Sequence, residues 1–251
     1  MPTGTPLNAR TGAGGAPRVL VVIPAFNEAG SLPAVVSELR SHLPDANVLV
    51  IDDGSTDGTR QVLADLDVRW LRMPMQMGLG AAVRAGLRYA CRGGYDAVVR
   101  IDGDGQHPAG VINRLLEPVL RGDADVTIGS RYLSEIRNPR TLRRGTQYVL
   151  GRILSVLTRQ QVTDPTSGLW VFGRKALQVL RDHHPSGYPE PELLLFLSRN
   201  RIRVTEVQVR MRDRLAGQTS LTPRRMGAAL ARLTLLLVVV PLRSAVGARD
   251  D

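Results

Sequence analysis

Hydrophobic and polar positions alternate in blocks along the first half of the chain. Residues 19–23 and 47–51 are short, continuous apolar runs, and each ends in a polar loop. Runs of this length are typical of strands that are buried on both faces of a parallel sheet. Residues 31–43 carry apolar side chains at helical spacing, with Ser31 at the position of an N-terminal cap and Pro33 in the first turn. The pattern predicts a strand–helix–strand unit.

The same alternation continues toward the middle of the chain. It predicts further helices over residues 56–66 and 79–92, and further strands over residues 68–71, 97–101 and 125–128. Strands that alternate with helices indicate an α/β fold with a Rossmann-like, mostly parallel sheet and helices on both faces. Ligands of such sheets bind beyond the carboxyl ends of the strands, so function is expected in the polar loops there.

The two ends of the chain lack this alternation. Residues 1–17 show no hydrophobic periodicity, which predicts a disordered leader and not a secretory signal. Residues 142–157 predict a basic amphipathic helix. Residues 223–251 include the uncharged run 233–242, which is too short to span a bilayer; it suits either a membrane surface or a core or partner-binding helix. One α/β domain is therefore expected over residues 18–222, followed by an amphipathic, interfacial segment.

The charge of the chain narrows its partners. Its formal net charge is +10 and comes almost wholly from arginine, since Lys175 is the only lysine. Such a balance attracts phosphates, nucleic acids or anionic membrane surfaces. Nucleic acid is not the expected partner, because the few aromatic residues do not interleave with the arginines. The single cysteine, Cys91, excludes an intramolecular disulfide and favours a cytoplasmic protein.

Acidic residues follow two of the predicted strands. Asp102 and Asp104 are separated by one glycine, and both carboxylates can reach one hard cation, Mg²⁺ or Mn²⁺. The tripeptide alone is equally typical of a turn. Asp52 and Asp53 follow another strand, so a second acidic loop is expected at the same sheet edge, where one aspartate accepts hydrogen bonds from a nucleoside and the other caps a helix. Together the two loops predict a carboxylate-lined site at this edge of the sheet.

Five motifs then occur in a characteristic order. They are Ile23-Pro-Ala-Phe-Asn-Glu28, Val50-Ile-Asp-Asp-Gly-Ser-Thr-Asp-Gly-Thr59, Gly78-Leu-Gly80, Asp102-Gly-Asp-Gly-Gln-His-Pro108 and Gly129-Ser-Arg-Tyr132. This order resembles family 2 glycosyltransferases, and within them the polyprenyl-phosphate sugar synthases related to dolichol-phosphate mannose synthase. The resemblance spans residues 18–221. It implies a GT-A fold and inverting transfer of a sugar from a GDP- or UDP-sugar to a polyprenyl phosphate.

The resemblance also implies roles for individual residues. The expected donor-binding residues are Pro24, Phe26, Glu28, Asp53, Gly78, Asp102, Gly103 and Gln106. The expected metal ligands are Asp102, Asp104, Gln106 and His107, although His107 suits the wall of the donor pocket equally well. The expected catalytic residues are Asp104, Arg131 and Arg214. The acceptor phosphate is expected to be bound by Arg131, Arg214 and either Arg144 or its neighbour Arg143.

The sequence leaves the acceptor open. A polyprenyl phosphate is already an anion and needs positioning and charge compensation, whereas a soluble hydroxyl acceptor needs a base, for which Glu190 and Glu192 are the candidates. A lipid acceptor implies a peripheral protein on the inner face of the membrane, with a small membrane protein as a further partner. Many relatives carry a cationic side chain at two places where this chain has Gln76-Met77 and Thr219-Ser220. An inactive scaffold is the remaining alternative, and the complete acidic motifs argue against it.

Overall fold

The computed structural model describes residues 15–134, 142–182 and 189–213 of the 251-residue chain. Its strands are β1 (Val19–Ala25), β2 (Asn47–Asp52), β3 (Arg69–Arg72), β4 (Ala97–Arg100), β5 (Val126–Ser130), β6 (Trp170–Gly173) and β7 (Val204–Gln208). Its helices are α1 (Leu32–His42), α2 (Thr59–Asp65), α3 (Leu79–Gly93), α4 (Ile112–Leu120), α5 (Leu142–Thr158), α6 (Arg174–Asp182) and α7 (Pro189–Arg199), and a single 3₁₀ turn, Ala109–Val111, precedes α4.

The strands form one mixed sheet in the order β3-β2-β1-β4-β6-β5-β7. The neighbours from β3 to β4 pair in parallel, as do β5 and β7, while β6 is antiparallel to both β4 and β5. The predicted Rossmann-like, mostly parallel sheet is therefore confirmed. The strands β6 and β7 were not predicted from the sequence.

Both faces of the sheet are covered by helices. Along β1, Leu20 and Val22 pack in a cluster with residues of α3, α5, α6 and α7, whereas Val21 and Ile23 pack in a second cluster with residues of α1, α2 and α4. All four side chains are at most 1% exposed. Burial on alternating faces explains why the strand is an unbroken apolar run, and each such side chain contributes about 1.5–3 kcal/mol.

Two helix starts differ from the sequence prediction. The helix expected from residue 56 begins at Thr59, because the amides of Thr56 and Asp57 instead donate to Asn27 Oδ1, at 2.9 and 3.3 Å. Ser31 does occupy the N-cap position of α1, but its side chain makes no capping bond. Its hydroxyl donates to Glu28 Oε2 at 2.7 Å. Loop contacts across the sheet edge thus take precedence over local capping.

The ends of the chain remain predictions. Most of the leader and the C-terminal segment 223–251 lie outside the described residues, as does the boundary of the α/β domain at residue 222. The predicted helix over 142–157 is confirmed as α5. Within the described ranges, every helix is too short or too polar to cross a membrane.

The tight seam between α3 and β1 can be tested with Gly86→Ala. A methyl group at Gly86 would overlap Val22 Cγ1, so the variant is expected to lose about 1–3 kcal/mol of unfolding free energy in urea titrations followed by circular dichroism. Gly145→Ala on α5 is the matched control, because no atom of the described residues outside its own helix backbone and chain neighbours lies within 4 Å of the added methyl group. That variant is expected to gain up to about 1 kcal/mol. Equal losses in both would contradict the packing described.

Candidate active site

The loops that follow β1 and β2 are joined at the carboxyl edge of the sheet. Asn27 adopts a left-handed backbone conformation with φ of 58°. The backbone N–H of Asn27 donates to Ser55 Oγ at 3.0 Å, and its side-chain Oδ1 accepts from the backbone N–H of Thr56 at 2.9 Å. The Glu28 amide donates to Thr59 Oγ1 at 2.9 Å. These bonds hold two sequence-distant motifs as one wall of the site.

Asp52 and Asp53 are both buried but do different things. Asp52 is 0% exposed, and its Oδ1 accepts the Ser55 amide at 2.8 Å within the loop. Asp53 Oδ1 and Oδ2 accept the amides of Met77 and Gly78, each at 2.8 Å. Asp52 therefore shapes its own loop, and Asp53 fixes the loop before α3. Each Asp53 oxygen keeps a second lone pair for a nucleoside.

Gly103 brings the first wall against the acidic loop after β4. A side-chain atom built at Gly103 would lie 3.5 Å from the Pro24 carbonyl oxygen and 3.6 Å from Glu28 Cγ. Pro24 is buried, while Phe26 and Glu28 are partly exposed beside it. Gly78 has a φ of 91°, which favours glycine at the start of α3. The structure thus gathers most of the predicted donor residues at one edge.

Asp102 and Asp104 occupy different environments in this loop. Asp104 is 6% exposed, and its Oδ1 accepts the Gln106 amide at 3.0 Å. The Asp102 carboxylate is about one-third exposed and lies between Arg100 Nη2, 3.4 Å from Oδ1, and His107 Nε2, 3.6 Å from Oδ2. Burial alone would raise the pKa of Asp102, but His107 and Arg100 hold that pKa well below its usual range. Asp102 is therefore a carboxylate at neutral pH.

The predicted metal ligands fit an ion only in part. The described residues contain no group of three or more His, Cys, Asp or Glu side chains placed to hold a metal. His107 is 4% exposed with its Nε2 turned toward Asp102, and its buried Nδ1 has no hydrogen-bond partner among the described residues. Two carboxylates suit an ion such as Mg²⁺ that keeps water and substrate phosphate oxygens as its other ligands. The donor set therefore fits an ion shared with a diphosphate.

Sequence reasoning missed Arg100. This residue ends the apolar strand β4, is 2% exposed, and places Nη1 2.8 Å from Glu190 Oε1 and Nη2 3.4 Å from Asp102 Oδ1. Burial raises the pKa of Glu190, and the positive charge of Arg100 opposes that shift. Glu190, a candidate base in the sequence, is thus the buried partner of an arginine. An arginine in an otherwise buried strand was the available signal, since unpaired arginine is rarely buried.

Arg131, which the resemblance predicts to bind the acceptor phosphate, is held by several side-chain contacts. Its Nε and Nη2 each lie 2.6 Å from a carboxylate oxygen of Asp164, in a bidentate pair, and Nη2 also donates to Thr166 Oγ1 at 2.8 Å. Burial by itself would lower the pKa of Arg131, but the hydrogen bonds and charge of Asp164 raise it. The charge of Asp102 raises this pKa further by a smaller amount. The guanidinium is therefore within electrostatic range of the acidic loop.

Glu206 on β7 holds Thr163 and Asp164 in place through three hydrogen bonds. Its Oε1 accepts the amides of Thr163 and Asp164 at 2.8 and 3.0 Å, and its Oε2 accepts the Thr163 hydroxyl at 2.6 Å. Burial raises the pKa of Glu206, while these bonds oppose the shift. Sequence analysis did not single out this residue, because its partners lie more than forty positions away along the chain.

The same loop returns to the acidic residues at Gly168. A methyl group at Gly168 would overlap the Asp102 carboxylate, with Oδ1 at 2.9 Å. Residues 164–168 therefore reach from Arg131 at one end to Asp102 at the other.

Three predicted residues are described incompletely or not at all. Arg214 lies outside the described residues, although the Arg212 amide, close before it in sequence, donates to the Gln106 carbonyl oxygen at 2.9 Å. Arg144 lies on α5, but its side chain is not described. Glu192 is partly buried, and its Oε2 has no hydrogen-bond partner among the described residues.

The parallel strands, the antiparallel β6 and the acidic loops at the sheet edge define a GT-A glycosyltransferase fold. The chain belongs to glycosyl transferase family 2, whose model matches residues 20–181. The fold is also that of glucosyl-3-phosphoglycerate synthase from Mycobacterium tuberculosis, solved with Mn²⁺, UDP-glucose and phosphoglyceric acid; the TM-score is 0.65 at 22% identity, over 89% of this chain and 79% of that one.

Curated relatives are more similar in sequence. An undecaprenyl-phosphate mannosyltransferase from Micrococcus luteus is 31% identical over 86% of this chain and 93% of its own length. A polyprenol monophosphomannose synthase from Mycolicibacterium smegmatis is 36% identical over 64% of this chain and 63% of its own length. A UDP-N-acetylglucosamine–dolichyl-phosphate N-acetylglucosaminyltransferase from Methanococcus voltae is 28% identical over 76% and 80%. The chain is thus similar to enzymes named for polyprenyl-phosphate acceptors.

Gly168→Ala tests the contact with Asp102. Because the methyl group displaces the carboxylate, metal-dependent binding of a nucleotide sugar is expected to weaken about 10- to 100-fold in isothermal titration. Gly58→Ala is the control, since its methyl group would lie 3.7 Å from Ala29 Cβ, an ordinary contact. Unchanged binding of the nucleotide sugar in Gly168→Ala would contradict a role for the contact between Gly168 and the Asp102 carboxylate.

Arg100→Met tests the buried ion pair. The variant leaves Glu190 buried without its cation and is expected to lose about 3–5 kcal/mol of unfolding free energy in urea. Adding Glu190→Gln should recover much of that loss, because the pair is then removed together. Arg203→Met is the control, since Arg203 pairs with Asp125 from an exposed position and should cost at most about 1 kcal/mol. Additive losses at Arg100 and Glu190 would refute the pairing.

Proposed function

We propose that the chain is an inverting, metal-dependent glycosyltransferase. It transfers a hexose or N-acetylhexosamine from a GDP- or UDP-sugar to a polyprenyl phosphate, working as a peripheral protein on the cytoplasmic face of the membrane. A small membrane protein is a further proposed partner. Relatives whose names state a polyprenyl- or dolichyl-phosphate acceptor support this assignment.

The observation that carries the proposal is a largely buried arginine beside an exposed apolar surface. Arg131 and Gln147 both donate to Thr166 Oγ1, at 2.8 and 3.0 Å, which ties the cation to helix α5. The next two residues of α5, Tyr148 and Val149, are 41% and 56% exposed. A polyprenyl phosphate has the matching chemistry, an anionic head on an apolar chain.

The carboxylates near Arg131 favour an acceptor that is already ionised. Asp164 is paired with Arg131, Glu190 with Arg100, and Glu206 accepts three hydrogen bonds from residues 163–164. A hydroxyl acceptor needs a base to take its proton, whereas a phosphate oxygen attacks without losing one. The observed pairing thus supports an anionic acceptor.

The donor side follows from the acidic loops. Asp53 and Glu28 would hold the nucleoside, and Asp102, Asp104 and Gln106 would hold Mg²⁺ or Mn²⁺ together with the diphosphate. The ion, when bound, supplies Lewis-acid stabilisation of the leaving nucleoside diphosphate. Because two carboxylates alone bind such an ion weakly, metal and donor are expected to bind together.

The proposed reaction is a single displacement. An acceptor phosphate oxygen forms a bond to the anomeric carbon as the bond from that carbon to the nucleoside diphosphate breaks, so configuration inverts. No proton is transferred. Arg131 compensates the acceptor charge, and Arg214 and Arg144 are proposed to assist it.

Helix α5 is the proposed contact with the membrane. Its exposed apolar side chains are Tyr148, Val149, Val156 and Leu157, at 41, 56, 75 and 46% exposure. Arg152 and Arg159 are exposed on the same helix or directly after it, and the chain carries a net charge of +10. Apolar side chains with flanking arginines suit the surface of an anionic bilayer.

One observation keeps a soluble hydroxyl acceptor as the second candidate. Glu192 Oε2 is buried without a hydrogen-bond partner among the described residues, so this carboxylate is available to act as a base. The same donor site would then serve a small metabolite or glycan.

Transfer of radiolabelled sugar tests the two candidates. Wild type is assayed with GDP-mannose, UDP-glucose and UDP-N-acetylglucosamine, each with Mn²⁺ or chelator, and with a short polyprenyl phosphate as acceptor. Metal-dependent transfer from one donor is expected, with Asp104→Asn and Arg131→Met slower by about 100-fold or more. Glu192→Gln should retain the wild-type rate. Transfer only to lipid-free hydroxyl acceptors, lost in Glu192→Gln, would establish the second candidate instead.

The membrane contact is tested in the same assay. Val156→Asp is expected to slow transfer to polyprenyl phosphate embedded in anionic vesicles but not to a soluble short-chain acceptor. Equal rates on vesicles for wild type and variant would remove α5 from the proposal.

A further inference from the structure

A buried hydrogen-bond acceptor beside Thr166 has no partner among the described residues. Gln147 is 7% exposed, and its Nε2 donates to Thr166 Oγ1 at 3.0 Å. Its Oε1 is buried and has no hydrogen-bond partner among the described residues. Buried polar atoms are almost always paired, so an unpaired one in a site indicates a missing ligand atom.

The hydrogen bonds of Thr166 fix which end of the amide is free. The Thr166 hydroxyl accepts from Arg131 Nη2 at 2.8 Å and lies 3.3 Å from Asp164 Oδ1, to which it donates its only proton. It has no proton left for Gln147. The Gln147 amide must therefore present N–H to Thr166, which leaves its oxygen as the unpaired group.

The position of Thr166 indicates which part of the substrate is nearby. Residues 164–168 run from the bidentate pair with Arg131 to Gly168, which lies against the Asp102 carboxylate. Arg131 is the proposed acceptor side and Asp102 the proposed donor side. In a direct displacement the transferred sugar lies between the attacking and leaving phosphates. Thr166 lies on this middle stretch, and Gln147 contacts it from helix α5.

We infer that Gln147 Oε1 accepts a hydrogen bond from a hydroxyl group of the transferred sugar and contributes to sugar specificity. This inference rests on the proposed function. Ionised phosphates only accept hydrogen bonds, so the sugar hydroxyls are the donors available between them. A site built around a substrate hydroxyl discriminates strongly against an analogue that lacks it.

The test compares the preferred donor with its monodeoxy analogues. For wild type, kcat/KM for transfer to short polyprenyl phosphate should fall about 10-fold or more for one analogue. Gln147→Met, a similar shape without the acceptor, should use that analogue and the parent sugar within about 2-fold of each other. Its discrimination against the other analogues should match that of wild type.

Gln160→Met is the matched control. Its Nε2 donates to the Ile202 carbonyl oxygen at 3.1 Å and its Oε1 accepts the Val204 amide at 2.6 Å, so the amide is fully used within the fold. This variant should melt at a lower temperature yet keep the wild-type preference among sugars. Gln147→Met also loses the hydrogen bond from Nε2 to Thr166 Oγ1, but it removes an unpaired buried acceptor at the same time, so it should melt within about 2 °C of wild type.

Two results would overturn the inference. One is a Gln147→Met enzyme that discriminates against every deoxy analogue as wild type does. The other is a uniform loss on all donors with a lowered melting temperature, which is the result of a purely structural role. If wild type transfers no sugar to polyprenyl phosphate, the proposed function fails. Equilibrium titration of the same donors against wild type and Gln147→Met then decides the role of Gln147 separately.

Discussion

The position of the Asp102 carboxylate is the constraint on which the rest of the site depends. Gly168 leaves room for it, Arg100 lies 3.4 Å from one oxygen, and His107 lies 3.6 Å from the other. These neighbours come from β4, the loop before β6 and the acidic loop itself. The antiparallel strand β6 makes this possible, because it starts where β4 ends, with Trp170 paired to Arg100. Reversal of one strand thus brings the loop 164–168 against the Asp102 carboxylate.

Charge in the site is balanced in fixed pairs. Arg100 is paired with Glu190, and Arg131 with Asp164, and each pair contains a fully or almost fully buried member. Separating such charges is costly, so the pairs hold the surrounding loops in one arrangement. A preorganised site of this kind is suited to substrates that bring their own charge and require little proton transfer. This is the electrostatic reason to favour a phosphate acceptor over a hydroxyl.

Helix α5 joins two environments that differ within one residue. Gln147 is 7% exposed and hydrogen-bonded to Thr166, while the following Tyr148 is 41% exposed. Successive residues on a helix point about 100° apart, so one turn can face both the reacting groups and the surroundings. An amphiphilic acceptor entering along this helix would meet apolar side chains and the guanidinium of Arg131 in succession.

The sequence by itself determined the parallel core and the acidic edge. Continuous apolar runs identify β1 and β2 because both their faces are buried, and carboxylates that follow such strands must meet at one edge. It also identified Arg131 through motif order. Only the tertiary structure decided that Asp52 serves its own loop, that Glu190 belongs to Arg100, and that Gly168 faces Asp102. These contacts depend on strand order and side-chain packing between distant segments, which local periodicity does not encode.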